Sequence, residues 1–421
     1  MSLANAILAL LARGSAPLAA WLDGGASARG MFGAFPDAVV AGDDLCVLDQ
    51  VEDAWRREPD RIWMGWLTYE VGAATLLGRP PRGGSLPGVC LRRYPAALEL
   101  RADGPIEHGH RAALADLRGA LAREGAPPSA RWPWTRLEPR LDPEAYRARV
   151  HSALEHIRAG DSYQVNLAQR FEGRWQQPHD ATAIARAVAA AYADLRTRSP
   201  ASMGVLMQHP ERATWLLSNS PETLLELRFG AAADGGDRLR SWPIKGTRPR
   251  GREQADDLAL SRELQSSSKD GAEHLMIVDL VRNDLGRVAV PGSVRAHPVP
   301  QLVTLPTVHH LVTEVSASLR PGVSLRELVE AVFPGGSITG APKRRTVELI
   351  DALEPELREI YCGAFVLLEP SGLRMSIPIR TATVDATGIV VPAGGGIVVD
   401  SDPESERLET IAKVRAFDPI A

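Results

Sequence analysis

Long hydrophobic runs and an excess of basic charge are both missing from this 421-residue sequence. No run of about 18 apolar residues is present that could span a bilayer. The formal net charge of -4 provides no basic footprint for nucleic acid. These absences exclude a membrane-spanning protein, argue against a nucleic-acid-binding protein and favour an enzyme of the cytoplasm.

Cysteine is also rare, and its three residues, Cys46, Cys90 and Cys362, lie far apart. An odd number of cysteines without a close pair predicts neither a disulfide framework nor a zinc site. This pattern is again typical of a cytoplasmic protein.

Lysine is the scarcest charged residue, since only four of the 48 basic residues are lysine. A chain that prefers arginine so strongly keeps lysine either by chance or where it needs a compact amine that titrates. Lys245 lies in an apolar, extended segment, 241–250, bracketed by proline and glycine. Burial there would lower the pKa of the amine and make it a nucleophile, whereas the alternative is a solvated lysine in a turn. The other three are Lys269, Lys343 and Lys413.

Helices and strands are mixed along the chain. Residues 1–137 carry short apolar runs broken by glycine and proline, which predict strands without a catalytic set. A segment rich in proline, arginine and tryptophan, 125–141, predicts a connector, so that residues 138–421 form the catalytic region. Asp142 and Pro143 predict the start of a helix. The other predicted elements are a strand at 163–171, a helix at 181–195, and strands at 373–384 and 389–391 joined by a turn.

Two pairs of carboxylates have helical spacing: Asp270 with Glu273, and Glu406 with Glu409. On helices, each pair shares one face. Clustered carboxylates without cysteine suit Mg²⁺, which binds few protein ligands and keeps positions for substrate oxygens. For Glu409 the alternative is a surface ion pair with Lys413.

Glycine-rich segments at 335–343 and 394–396 match neither nucleotide-binding pattern. Their backbone amides could hold a small anion, or the glycines could serve ordinary turns. Arg380 lies in an apolar segment that predicts a strand, and a charge there needs an anionic partner. His310, between apolar neighbours, is by itself more typical of a core residue.

Seven motifs follow one another from about Leu141 to the end of the sequence. They are Ser220–Glu222, Pro243–Thr247, Glu273–Arg287, Gly336–Lys343, Tyr361–Ala364, Ile379–Ala382 and Gly394–Lys413. In order and content they resemble the chorismate-utilising enzymes. The resemblance implies an α+β fold in which two large antiparallel β-sheets face each other, with helices outside and the substrate between them.

The resemblance also implies a reaction. Members that make 4-amino-4-deoxychorismate, the precursor of 4-aminobenzoate and folate, carry a lysine where this chain has Lys245, whereas anthranilate synthases typically carry alanine. The lysine would attack C2 of chorismate and ammonia would replace the C4 hydroxyl. Isochorismate and salicylate synthases usually place a lysine where this chain has Gln164, so addition of water is disfavoured. An anthranilate synthase and a catalytically idle chorismate-binding subunit are the alternatives.

By the same resemblance, Glu222 is the general acid or base and His310 assists it. Mg²⁺ would be bound directly by Glu273 and Glu409, and through water by Asp270 and Glu406, although a glutamate is common in the family where Asp270 stands. Substrate binding is expected of Gly246, Thr247, Thr339, Tyr361, Arg380, Gly394, Gly396 and Lys413. None of the cysteines has the glycine-flanked setting of a glutaminase nucleophile, so ammonia is expected from a separate glutaminase subunit.

Overall fold

The computed structural model describes residues 2–14, 16, 18–24, 29–123, 132–177, 179–209, 213–232, 235–305 and 308–418. The predicted connector at 125–141 therefore lies partly outside the described residues. Two short 3₁₀ turns, Gly336–Ile338 and Arg415–Phe417, accompany the α-helices. The helices are α1 (Leu3–Ala12), α2 (Val47–Arg57), α3 (Tyr69–Leu77), α4 (Arg111–Ala122), α5 (Pro143–Arg158), α6 (Ala181–Arg198), α7 (Gln254–Ser266), α8 (Ser268–Gly286), α9 (Leu325–Val332), α10 (Lys343–Leu353) and α11 (Pro403–Val414).

The largest sheet has eleven strands, and its neighbouring strands are antiparallel. In spatial order it contains β19 (Gly340–Ala341), β9 (Gln164–Arg174), β23 (Gly388–Ile397), β22 (Thr381–Val384), β11 (Trp215–Ser220), β10 (Met203–Gln208), β1 (Ala20–Asp23), β2 (Gly30–Gly33), β6 (Ala96–Leu100) and β7 (Ile106–Gly109), with β8 (Glu138–Pro139) paired to β9.

A second sheet has nine strands, and a small third sheet has three. The nine-stranded sheet runs β15 (Arg295–Ala296), β18 (Val315–Ser318), β13 (Arg238–Ser241), β12 (Thr223–Arg228), β21 (Gly372–Ser376), β20 (Ala364–Glu369), β4 (Ile62–Leu67), β5 (Val89–Tyr94) and β3 (Ala38–Gly42). The three-stranded sheet runs β14 (Ile244–Pro249), β17 (Val308–Val312) and β16 (Gln301–Thr304).

The two large sheets face each other across a buried apolar cluster. This cluster combines β1, β2, β6, β10 and β11 of one sheet with β4, β5 and β20 of the other. Successive side chains of a strand point to opposite faces, so Met64 and Trp66 fill the space between the sheets while Trp63 and Leu67 face outward. Helices α1, α4 and α6 pack on one outer face, and α2, α3, α9 and α10 belong to the cluster on the other. The predicted fold of facing antiparallel sheets is confirmed.

Residues 1–137 do not form a separate unit. They supply β1, β2, β6 and β7 to the eleven-stranded sheet and β3, β4 and β5 to the nine-stranded sheet. Their strands pair directly with those of the remainder of the chain, β1 with β10 and β4 with β20. The segment before the predicted boundary is thus an integral part of both sheets.

Most local predictions are confirmed. Asp142 caps α5 by accepting a hydrogen bond from the Ala145 amide at 2.9 Å, and β22 and β23 form the predicted hairpin. The prediction of one strand over 373–384 is wrong, because β21 and β22 belong to different sheets. Arg380 lies in the connection between them, with a positive φ of 48°. Among the described residues, no helix is long and apolar enough to cross a membrane.

The cluster between the sheets should dominate stability. Leu216→Ala removes a fully buried side chain of β11 and is expected to lower the free energy of unfolding by about 2–5 kcal/mol, because it leaves a cavity. Leu258→Ala, at a 48% exposed position of α7, serves as the control and should lower the free energy of unfolding much less. Denaturant unfolding of both variants measures the difference, and equal losses would contradict this assignment of the core.

Candidate active site

Two chain crossings between the large sheets lie side by side and hold the site. The chain leaves β11 for β12 through Pro221 and Glu222, and it returns from β21 to β22 through the segment that ends at Arg380. The Ile377 amide donates to the Glu222 carbonyl oxygen at 3.0 Å, and the Asn219 amide donates to the Arg380 carbonyl oxygen at 2.9 Å. Glu222 and Arg380 are therefore held on neighbouring backbone segments although about 160 residues separate them in the sequence.

A cavity of about 790 Å³ opens beside these crossings, a size typical of small-molecule sites. It is bounded by β9, β14, β17, β23, α8, α11 and the 3₁₀ turn at Gly336–Ile338. The predicted site residues that line it are Glu222, Lys245, Gly246, Thr247, Asp270, Glu273, His310, Tyr361, Arg380, Gly394, Gly396, Glu406, Glu409 and Lys413.

Thr339 is the exception among the predicted residues. Its side chain is fully buried, and its hydroxyl donates to the Gly335 carbonyl oxygen at 2.9 Å. The hydroxyl is thus committed to the backbone of its own turn, and its position does not match the predicted contact with substrate. Ser337 of the same turn lines the cavity instead.

Lys245 reaches the cavity from β14. Its side chain is only 19% exposed, so the alternative of a solvated turn lysine does not apply. Its Nζ donates to Gln164 Oε1 at 3.2 Å and lies 3.9 Å from a carboxylate oxygen of Glu273. Burial lowers the pKa of this amine, partly offset by the Glu273 charge. Gly246, at a φ of +76° that favours glycine, turns the backbone directly after it.

Glu222 is the buried carboxyl of the site, only 6% exposed. Burial raises its pKa, while the Ser337 hydroxyl and the charges of Lys245 and Arg380 oppose that shift. The Ser337 hydroxyl donates to Glu222 Oε1 at 2.6 Å. The environment thus favours a carboxyl that holds a proton at higher pH than an exposed glutamate does.

His310 lies on β17, where its ring is buried. Nδ1 lies 2.9 Å from the Thr247 hydroxyl, and burial lowers the pKa of the ring. Among the described residues, Nε2 has no hydrogen-bond partner. A buried ring beside an open cavity with one unpartnered nitrogen suits a neutral imidazole that binds or assists a ligand.

The four predicted metal ligands line one side of the cavity, from α8 and α11. Glu406 and Glu409 both approach the backbone at Gly395. A Cβ atom on this glycine would lie 2.8 Å from a carboxylate oxygen of Glu406 and 3.7 Å from one of Glu409. Burial and the charge of Glu409 raise the pKa of Glu406, a repulsion that a cation would relieve.

No set of three or more His, Cys, Asp and Glu side chains in the described part of the chain is arranged to hold a metal by itself. The carboxylates of α8 and α11 offer oxygen donors, the ligand type that Mg²⁺ prefers, and an ion bound there would complete its shell with water and substrate. They do not fit a closed protein cage.

Two further charges around the cavity have ion-pair partners. Lys413 contacts Glu409 at 2.6 Å, as the ion-pair alternative predicted, and its Nζ also donates to the Gly394 carbonyl oxygen at 2.7 Å. Asp270 is paired with Arg248 at 3.0 Å. Burial lowers the pKa of Arg380, and the negative charge of Glu222 opposes this shift. Arg380 thus offers the cavity a guanidinium suited to an anionic group.

Several residues in or near the cavity were given no role by the sequence analysis. Lys343 forms a buried ion pair with Asp284 at 2.7 Å, and Lys269 lines the cavity. Arg358 is buried behind the cavity and donates to the carbonyl oxygens of Asn166 at 2.8 Å and Ile338 at 3.1 Å. Nothing in the local sequence marks Arg358, whereas Ser337 could have been found within its glycine-rich motif.

Comparisons with known proteins identify a family and several relatives. A family model described as chorismate binding enzyme matches residues 38–419. The chain is 41% identical over 277 residues to aminodeoxychorismate synthase component 1 of Klebsiella aerogenes, covering 64% of this chain and 56% of the relative. It is 40% identical over 275 residues to anthranilate synthase component 1 of Haloarcula marismortui, covering 65% and 53%. The chain thus spans about half the length of the curated relatives it matches.

Solved structures show the same fold. Anthranilate synthase component I of Streptococcus pneumoniae has a TM-score of 0.77 and 24% identity, covering 94% of this chain and 93% of that one. The menaquinone-specific isochorismate synthase of Escherichia coli has a TM-score of 0.77 and 19% identity, covering 97% and 90%. With the family model matched along most of its length, the chain belongs to the family of chorismate-binding enzymes.

Proposed function

We propose that this protein is an aminodeoxychorismate synthase component I, which converts chorismate and ammonia to 4-amino-4-deoxychorismate. The observation that carries the proposal is Lys245: a desolvated amine inside the cavity, with Glu222 and Arg380 acting on the same space. Relatives at about 41% identity bear this name, while others of similar identity are anthranilate synthases. Lys245 is the residue that favours amination at C4 over anthranilate formation.

The first step uses the free amine. Lys245 Nζ attacks C2 of chorismate, the electron pairs of the ring diene shift towards C4, and the C4 hydroxyl leaves with a proton from Glu222 as water. A lowered pKa supplies the neutral amine and a raised pKa supplies the protonated carboxyl. Arg380 would bind a carboxylate of the substrate during this step.

The second step reverses the electron shift. Ammonia adds at C4, the diene re-forms, and the bond between C2 and Lys245 breaks, which restores the free side chain. Glu222, left as a carboxylate, accepts a proton from the added nitrogen. The net exchange is one hydroxyl, lost as water, for one amino group, so no oxidant or reductant is needed.

Mg²⁺ is the proposed cofactor. Glu273 and Glu409 would bind it directly, with Asp270 and Glu406 behind them, and the ion would neutralise charge between these carboxylates and a substrate carboxylate. Chorismate is a dicarboxylate, so the acidic side of the cavity would repel it without such an ion.

Ammonia is proposed to come from a glutaminase on a separate chain. Cys90 and Cys362 are buried and only Cys46 is exposed. Burial raises the pKa of Cys362 to about 12, and a hydrogen bond with Asp44 raises that of Cys46, the opposite of an activated thiolate. The product would serve folate synthesis in the cytoplasm after a separate lyase converts it to 4-aminobenzoate.

Product analysis tests the proposed function. The chain incubated with chorismate, MgCl₂ and ammonium at alkaline pH should form aminodeoxychorismate without pyruvate, as identified by mass. Lys245→Ala should lower the rate of aminodeoxychorismate formation by at least about 100-fold, because the covalent step is removed. Leu258→Ala, at an exposed position of α7 outside the cavity, is the control and should retain most of the activity. Anthranilate and pyruvate from the wild type would assign the chain to the rival synthase, and no turnover would favour an idle subunit.

The state of Lys245 can be measured without turnover. Acylation by acetic anhydride at increasing pH, with peptide mapping, should give a half-maximal rate for Lys245 below the ~10.4 of an unperturbed lysine, because the buried amine loses its proton earlier. Lys245→Arg identifies the labelled peptide by its absence. A midpoint at or above that of a model peptide would refute the lowered pKa.

Mg²⁺ binding distinguishes the cavity carboxylates from others. Glu273→Gln and Glu409→Gln should each weaken binding of MgCl₂ alone by at least about 10-fold in calorimetric titrations, since each removes a carboxylate ligand. Glu404→Gln also removes a carboxylate from α11, but Glu404 pairs with Arg147 and Arg407 instead of lining the cavity. Equal binding by all three variants would contradict the proposed ligands.

A further inference from the structure

Ser337 occupies a position between two cavities. It lines the large cavity, and it also lines a second cavity of about 20 Å³ on the other side of Glu222. The second cavity has room for about one water molecule and not for a ring substrate. Ser337 and Glu222 therefore lie between the large cavity and a small neighbouring one.

The backbone around Ser337 is fixed from several directions. It lies in the 3₁₀ turn Gly336–Ile338, and the Thr339 hydroxyl ties this turn to the Gly335 carbonyl oxygen. Arg358 binds the Ile338 carbonyl oxygen from behind. The Ser337 hydroxyl is thus presented to Glu222 by a turn whose orientation is set elsewhere.

We propose that Ser337 is a positioning residue that fixes the carboxyl of Glu222 and sets which of its oxygens carries the proton. The inference rests on the proposed role of Glu222. Because the Ser337 hydroxyl donates to Oε1 at 2.6 Å, Oε1 acts as the acceptor and the acid proton resides on Oε2. Oε2 then protonates the departing hydroxyl of the substrate.

Other charges act on Glu222 but do not replace this contact. The titratable and charged side chains around it are Lys245 of β14, His310 of β17, Tyr361 and Cys362 before β20, Arg380 before β22, and Asp284 of α8 with its partner Lys343 of α10. Lys245 and Arg380 favour the carboxylate through their charges, whereas the Ser337 hydroxyl does so by a direct hydrogen bond. Removing this hydroxyl leaves the charges in place and should raise the pKa of Glu222 further.

The test compares pH profiles of kcat and KM for the wild type, Ser337→Ala, Ser337→Thr and Ser241→Ala. Ser241 lines the same small cavity and is buried, but its hydroxyl donates to the Leu224 carbonyl oxygen, which makes it the matched control. Ser337→Ala should lower kcat by about 10-fold with little change in KM for chorismate. In its plot of kcat against pH, the limb that reflects the pKa of Glu222 should move to higher pH by about one unit, and the other limb should not move. Ser337→Thr, which keeps a hydroxyl, should restore both kcat and the position of this limb.

Three outcomes would overturn the inference. A raised KM with an unchanged pH profile would make Ser337 a direct substrate contact. The same shift in Ser241→Ala would make the effect one of general packing, and no change in Ser337→Ala would remove any role for the hydroxyl. The wild-type product tests the proposed function separately, since the comparison between variants holds whichever aminated product forms. Denaturant unfolding checks that the variants fold.

Discussion

The site depends on one buried guanidinium, that of Arg358. It forms two hydrogen bonds of 2.7 Å with the carboxylate of Glu354 and also binds carbonyl oxygens of β9 and of the 3₁₀ turn. Glu354 in turn accepts from the Ala168 amide at 2.7 Å. A buried charge must be paired and hydrogen-bonded, and only the planar fork of arginine meets four such acceptors. This pair holds the two backbone segments that carry Asn166 and Ser337 at a constant separation.

Burial is the largest cause of the opposite pKa shifts of Lys245 and Glu222. Loss of water disfavours a charged amine and a charged carboxyl alike, so the pKa of Lys245 falls while that of Glu222 rises. Both shifts bring the groups towards their neutral forms. Burial beside the same cavity is the largest cause of both shifts, and at Glu222 the hydrogen bond from Ser337 opposes it.

Sequence patterns were sufficient for features that depend on local spacing. The carboxylates of α8 and α11 could be placed because residues three apart on a helix share a face. The proline and glycine neighbours of Lys245 left a buried amine and a solvated lysine open, and the fold shows the buried one. Arg380 was misplaced because an apolar segment reads the same in a strand and in a connection between sheets. Thr339 was expected to bind substrate from the family resemblance, and only the fold shows that Ser337 of the same turn lines the cavity. The contacts of Arg358 with β9 join residues almost 200 positions apart, which no local pattern reveals.

Both large sheets combine strands from the first 137 residues with strands from the rest of the chain, so the protein cannot be cut at this point into two folded parts. A fragment that began after residue 137 would lose β1 beside β10 and β4 beside β20. Two central strands would then become open edges, with unpaired backbone groups and apolar faces exposed to other chains. Neither piece would be a self-sufficient module, and recombination with a homologue at this connector would exchange about a third of each large sheet instead of a domain.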